Sequence, residues 1–318
     1  MNSYHLRCFL EVAETLNITQ ASEKLYMSQQ NLSSHIARLE QELGIKLFER
    51  RPSLRLTEAG ELTLKTARKL LKEEDQLSQK LADITQECRT RLRIGSTHAR
   101  GFMLLTEVLP EFHRRSPQTD IKIRLGDHKT LQEALERGEL DVVVSMRDET
   151  ETPDYLRLES VHRTAICLMA PLETVQALAP ELLPADIGGD PIITAPAESI
   201  GRLAEADFLL HHENNVIRDL ANRYFEKHDL QPHVLLEVNN LEMLHEFCFN
   251  GMGVAFSFEY YARKWLMNKG AAADGRRFVV IPLAEPSMEN EFVLAYNSRF
   301  YFSKPMKVFL ETARAHFD

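Results

Sequence analysis

From Glu58 to Cys88 the chain contains no proline and, after Gly60, no glycine. Such a run has nothing to break a helix, and its apolar residues are spaced to make one. Ala67, Leu70, Leu77, Leu81, Ile84 and Cys88 recur at alternating intervals of three and four, with Glu74 as one polar interruption. That is a heptad seam. At 1.5 Å per residue the helix would be about 45 Å long. Its seam needs an apolar partner, either a second helix of the same kind or the chain's own remaining domain. The run separates a small N-terminal segment, 1–60, from a large C-terminal segment, 91–318, with a linker over 58–90.

The first sixty residues read as short helices followed by a hairpin. Leu6, Phe9, Leu10 and Ala13 follow helical spacing. Asn17 or Thr19 then supplies a cap for a second helix, Gln20 to about Tyr26, with Ala21 and Leu25 inward. Ser28 caps a third helix from Gln29 to Leu43, whose apolar positions are Leu32, Ile36, Leu39 and Leu43, and Gly44 ends it. Two short helices joined by a tight turn, the second with a polar outer face, make a helix-turn-helix. Such a helix fits a major groove about 12 Å wide. Its outward residues would be Gln29, Gln30, Asn31, Ser33, Ser34, His35 and Arg38, next to the cap Ser28. Gln and Asn can bond adenine bidentately, and Arg can bond guanine or phosphate. The same residue types also solvate any surface helix. Residues 45–57 read as a two-stranded wing with a Pro52-Ser53 tip, on which Arg50, Arg51 and Arg55 could touch phosphates. Thr57 then caps the linker helix, whose Glu58 and Glu61 suit a helix start.

Charge is consistent with a local nucleic-acid surface. The formal net charge is −9 over 318 residues, which argues against a uniformly basic coat. Yet Lys24 to Leu39 contains no acid, while Glu23 and Glu40 stand just outside; a chance gap in the acids is the other explanation. The four cysteines, Cys8, Cys88, Cys167 and Cys248, lack zinc-ligand or redox spacing and suit a reducing compartment. Arg7, Glu11 and Glu14 interrupt any signal-peptide core, and no run of about 18 apolar residues exists. A cytoplasmic protein with no membrane association is expected.

Beyond residue 91 strands and helices alternate. Leu92–Gly95, Ile121–Leu125 and Asp141–Ser145 read as strands, separated by helices around Leu104–Phe112 and Lys129–Arg137. Strands follow at 166–169, 191–194, 234–238, 254–256, 278–282 and 292–296, with helices at about 214–228 and 241–250 and a last helix from Pro305. This order predicts a parallel α/β arrangement with right-handed crossovers. Ligands in such sheets bind beyond the C-terminal strand ends. Here those ends carry Ser96-Thr97-His98, Gly126-Asp127-His128, Ser145-Met146-Arg147 and Thr194-Ala195-Pro196. His98 and Arg147 would favour an acidic ligand, although each residue singly also suits a cap or turn.

The head resembles the LysR-type transcriptional regulator family through Ala21, Leu25, Ser28-Gln29, Leu32-Ser33, Ile36, Leu39-Glu40, Leu43-Gly44, Leu47-Phe48, Arg50 and Leu56-Thr57-x-Ala59-Gly60. Ser22 replaces the family's usual alanine. Gln30 stands where the family often has proline, and Asn31 where it often has alanine or serine. The segment Leu135-Glu136-Arg137-Gly138-Glu139-Leu140-Asp141 and the run Gly251-Met252-Gly253-Val254-Ala255 also match, with Ser257-Phe258 in place of a usual leucine-proline pair. The resemblance implies an N-terminal all-α winged helix-turn-helix, a long linker helix that pairs two chains antiparallel, and a C-terminal two-lobed periplasmic-binding-protein-like α/β effector domain. The first lobe would take about 91–163 and 270–318, the second 164–269. It implies operator DNA and a small-molecule effector as ligands, a dimer of dimers, and RNA polymerase as a further partner. By the same resemblance the effector contacts are Ser96, Thr97, His98, Asp127, His128, Ser145, Arg147 and Thr194.

An enzyme is the main rival class. Gly-x-Ser-x-Gly, His-Glu-x-x-His and the phosphate-loop pattern are all missing from the sequence. His211-His212-Glu213 lacks a common helix face for a metal, and Gly251-x-Gly253 is too short for a dinucleotide fingerprint. No catalytic residue, metal or cofactor is expected. A secreted solute-binding protein would share only the second half. An architectural DNA-binding protein would not need two lobes.

Overall fold

The computed structural model of the protein describes residues 2–49, 53–85, 89–147, 152–190, 192–195, 199–213, 215–269, 275–283, 285 and 288–317. The chain opens with α1 (Ser3–Thr15), α2 (Ile18–Lys24) and α3 (Gln29–Leu43). Asn2, Asn17 and Ser28 cap them through side-chain oxygens, and Gly44 takes the left-handed conformation that ends α3. Leu6, Phe9, Val12, Ala21, Leu32, Ile36, Leu39 and Leu47 close one core among these helices.

The wing is β1 (Phe48–Glu49) paired antiparallel with β2 (Arg55–Leu56). Glu40 of α3 anchors its start: its buried carboxylate accepts Leu47 N–H at 2.9 Å and Lys46 Nζ at 2.7 Å. Thr57 fixes its end, donating to Lys46 O at 2.8 Å and accepting Gly60 N–H at 2.9 Å. A Cβ at position 60 would lie 2.2 Å from Leu47 O. Gly60 is therefore needed for close approach of two backbones.

The linker is α4 (Glu58–Thr85). Arg7–Glu74 at 3.0 Å and Arg68–Glu14 at 3.1 Å tie it to α1. Its far half docks on the large domain, with Lys72 donating to Gly138 O at 2.9 Å and Asp75 meeting Arg93 at 2.9 Å. Asp83 accepts the Tyr301 hydroxyl at 2.9 Å. Those contacts use a face different from the heptad seam. Ala67 packs into the head core, but Leu70, Leu77, Leu81 and Ile84 are exposed, Leu77 at 57% and Ile84 at 76%. The chain's own domain therefore does not cover the seam. Cys88 lies outside the described residues.

The large domain follows as β3 (Thr90–Ser96), α5 (His98–Arg100), a widened turn at Gly101–Leu105, α6 (Thr106–Arg115), β4 (Thr119–Leu125), α7 (His128–Glu136), β5 (Val142–Met146), β6 (Leu156–Pro171) and α8 (Leu172–Leu178). Next come β7 (Ile192–Thr194), β8 (Asp207–His211), α9 (Val216–Lys227), β9 (His233–Val238), α10 (Leu241–Phe249), β10 (Val254–Phe258), α11 (Glu259–Lys269), β11 (Phe278–Pro282), β12 (Glu289–Asn297) and α12 (Lys304–Phe317). Two mixed sheets form, in the orders β4-β3-β5-β12-β6 and β9-β8-β10-β6-β11-β7. The 16-residue β6 runs through both. Its first half pairs with β12 and its second half with β10 and β11.

Two expectations change here. β11 pairs with β6 residues 167–171, so the second lobe extends beyond 269 to include β11, and the first lobe resumes with β12. β12 and β6 are antiparallel to their neighbours, so neither sheet is wholly parallel. The sequence pattern also leaves the strand over 156–165 and β8 unannounced. The former lacks steady alternation, and the latter is a short apolar run whose centre is fully buried, which periodicity cannot assign.

Candidate nucleic-acid interface and effector cleft

On α3, Gln29, Gln30, Asn31, Ser34 and Arg38 are exposed; Gln29 opens the helix, and the other four share the face turned from the head core. Ser33 is half-buried. Ser28 spends its hydroxyl oxygen on Asn31 N–H at 3.2 Å, holding the start of the helix rather than standing free. His35 departs from its expected role. Its ring packs against α1, 5.0 Å from Tyr4 and 5.3 Å from His5, and its Nδ1 is buried. Burial, then His5 and Arg38, lower its pKa and favour the neutral ring. Position 35 lies three residues from core Leu32, which draws it toward the flank of the helix.

On the wing, exposed Arg55 donates to Ser53 at 3.0 Å. Arg50 and Arg51 lie outside the described residues. Tyr26, at the turn between α2 and α3, is 97% exposed with φ of 53°. A bulky residue held there stands out, and no sequence pattern flags it.

Between the lobes lies a cleft of about 1340 Å³. Thr97, His98, Asp127, His128, Ser145 and Arg147 line it, so six of the eight expected contacts converge. Ser96 is fully buried instead, and its Oγ has no hydrogen-bond partner among the described residues. Thr194 does not line the cleft. It ends β7, the edge strand beyond β11, and accepts a hydrogen bond from the Arg263 guanidinium of α11. Pro196 lies outside the described residues.

The charges of the cleft are mostly satisfied internally. Arg147 pairs with Glu291, and Arg163 lies 3.7 Å from the same carboxylate. The Ser160 hydroxyl also donates to Glu291. That hydrogen bond, together with Arg147, outweighs burial and lowers the Glu291 pKa. Asp127 caps α7 through Thr130 N–H at 2.9 Å. From the second lobe come His211, Asn215, Asn240 and Glu242. Burial first, then His212, pushes His211 down to about 4, so it is neutral at pH 7. Its Nδ1 is buried and lacks a partner among the described residues, as does Glu242 Oε2. Sequence reasoning missed Asn215, Asn240, Glu242 and Arg100, because lone polar residues beside helix starts carry no pattern, and it weighed His211 only as part of a metal motif. Among the described residues no group of three His, Cys, Asp or Glu could hold a metal. Among them, too, no helix is long and apolar enough to cross a membrane.

Residues 4–61 match the family model described as bacterial regulatory helix-turn-helix protein, lysR family, and residues 85–318 match that of the LysR substrate binding domain. The chain belongs to the LysR family. LysR-type proteins are transcription regulators, and this one joins their helix-turn-helix DNA-binding domain to their effector-binding domain. It is 30% identical over 255 residues to the Hca operon transcriptional activator HcaR of Escherichia coli K12, covering 80% of each chain. It is 31% identical over 258 residues to the HTH-type transcriptional regulator CatR of Pseudomonas putida, covering 80% of this chain and 81% of that one. In fold it is similar to a full-length OxyR variant from Pseudomonas aeruginosa, with a TM-score of 0.66 and 22% identity over 99% of this chain and 95% of that one. CbnR in complex with its target DNA gives a TM-score of 0.62 at 15% identity over 99% of each chain.

Proposed function

We propose that this LysR-type regulator reads its operator with Gln29, Gln30, Asn31, Ser34 and Arg38, and holds phosphates with Arg50, Arg51 and Arg55. The exposed amide-rich face of α3 carries this reading. Amide side chains in a row match adenine edges, while the arginines supply sequence-independent affinity. The exposed α4 seam supports pairing with a second copy, so that two heads meet half-sites about one helical turn apart or a multiple of it. A dimer of dimers and RNA polymerase complete the proposed assembly, which acts in the cytoplasm and without catalysis.

A small-molecule effector bound in the inter-lobe cleft shifts how the heads span DNA. It does so only through differential affinity for two lobe arrangements, typically about 1–3 kcal/mol of coupling. Thr97, His98, Asp127, His128, Ser145 and Arg147 are the proposed contacts from the first lobe. Fluorescence anisotropy on the fragment upstream of the protein's own gene, against a scrambled fragment over a salt series, tests the DNA reading. Binding tighter than the control by about a thousandfold supports it; binding equal to the control on every genomic fragment captured refutes it.

A further inference from the structure

Arg100 ends α5 at the mouth of the widened turn and lines the cleft. It is half-buried, and among the described residues its guanidinium has no ion-pair or hydrogen-bond partner. The other cleft arginines of the first lobe and the crossing strand differ from it, since Arg147 and Arg163 share Glu291. The remaining carboxylates of the cleft make no ion pair with it among the described residues either: Glu242, on α10 of the second lobe, accepts the Tyr261 hydroxyl at 2.9 Å. Asp127 is spent on capping α7, Asp219 and Glu226 stand on α9 of the second lobe, and Glu289 opens β12. Burial alone lowers the Arg100 pKa to about 10, with no neighbouring charge to offset it, so the group keeps its proton at pH 7. Beside it, Thr97 makes no side-chain cap bond. Ser96 Oγ, fully buried, has no partner among the described residues and lies 3.4 Å from where a Cβ of Gly101 would stand. A partly desolvated, uncompensated cation is costly unless something pairs with it. Arg100 belongs to the same short segment as Ser96 and Thr97, whose hydroxyls are not engaged in capping α5.

We infer that the effector carries a carboxylate or oxyanion group and that Arg100 is the residue that selects it. This rests on the reading of the cleft as the effector site. A guanidinium offers five donors in a fixed fork, so it pairs bidentately with a carboxylate or a tetrahedral oxyanion and leaves an amide or alcohol poorly satisfied. Arg147 contributes little to this selection, because Glu291 already neutralises it.

The test uses the full-length protein with sulfate, phosphate, benzoate and succinate, each carboxylate beside its uncharged amide, at constant ionic strength. Melting temperature and calorimetric titration are the readouts. A saturable gain for at least one acid, with Kd raised about 10- to 100-fold in Arg100→Gln, is expected. Arg100→Lys should retain part of the affinity. A Tm gain in Arg100→Gln that does not saturate and has no calorimetric counterpart is the general effect of excluded anions. Without ligand, Arg100→Met should raise Tm by roughly 2–4 °C, because an unpaired charge is removed. Acids that bind Arg100→Gln as tightly as the unaltered chain overturn the inference. So do amides that bind as well as their acids, although those would leave the cleft standing as an effector site. A protein that takes neither acids nor amides, and whose DNA affinity no small molecule alters, overturns both readings.

Discussion

Glu107 of α6, in the first lobe, meets Lys264 of α11, in the second, at 2.5 Å. The same carboxylate accepts the Tyr260 hydroxyl at 2.7 Å and contacts His316 Nε2 at 2.6 Å. This is a polar latch between lobes. It brackets the point where β6 passes from one sheet to the other, since Tyr260 N–H reaches Thr164 Oγ1 at 3.5 Å. An effector that moves one lobe against the other must deform it or pivot about it.

The latch gives a pH dependence. Burial pushes the Glu107 carboxyl up, but hydrogen bonds from Lys264, Tyr260 and His316 prevail and hold it down to about 2, against 4.5 ordinarily. A carboxyl depressed in the folded chain stabilises fully above its unfolded value and loses that contribution as pH falls through its folded value. Stability should therefore decline between about pH 4.5 and 2. Urea unfolding of Glu107→Gln should show a shallower decline over that window, and a cost of about 1–3 kcal/mol at pH 7. Equal slopes for the two proteins would remove Glu107 from the acid response.

Glu40→Ala should loosen the wing. The substitution strands Leu47 N–H, which is buried, and frees Lys46. A loss of about 1–3 kcal/mol from the head is expected, with weaker binding to every DNA sequence alike. Hydrogen exchange at Leu47 and Phe48 would report the loosening directly, and unchanged protection there would contradict it.

Base readout and phosphate contact separate by mutation. Gln30→Ala or Asn31→Ala should relax preference at one or two positions by about 1–3 kcal/mol. Arg55→Ala should weaken all sequences and reduce the salt slope by about one unit. His35→Ala should leave base preference intact and act through packing against Tyr4 and His5. A changed preference in that variant would return His35 to the groove face.

The seam makes the last prediction. Leu77→Glu combined with Ile84→Glu places charges on exposed apolar positions of α4. Since neither side chain is covered by the chain itself, the monomer should remain folded while self-association falls, as light scattering would show. Unfolding of the variant, or an unaltered mass, would mean the seam packs otherwise.

The head was legible because its signals are local. Ser28 and Gly44 act on backbone a few residues away, as Thr57 does in capping at Gly60 N–H, and the bounds of α3 follow from its two caps. Long apolar periodicity likewise announces α4. Those features depend on short-range hydrogen bonding and on spacing, which the order of residues states outright. The loops that line the cleft were readable for a related reason: strand ends in an α/β sheet are fixed by the alternation of elements.

Tertiary structure decided what depends on partners distant in the chain. Glu291 reaches Arg147 across 144 residues, so a cation expected to face ligand is already neutralised. Arg100 is left unpaired by the same assembly, His35 is turned onto α1, and Thr194 is carried to a sheet edge. The sequence by itself determined the elements of the head and linker, their caps and the order of the two domains, but not every strand and helix of the large domain. Which charges are spent and which remain to bind could emerge only when the lobes closed around them, because burial and pairing are properties of surroundings rather than of residues.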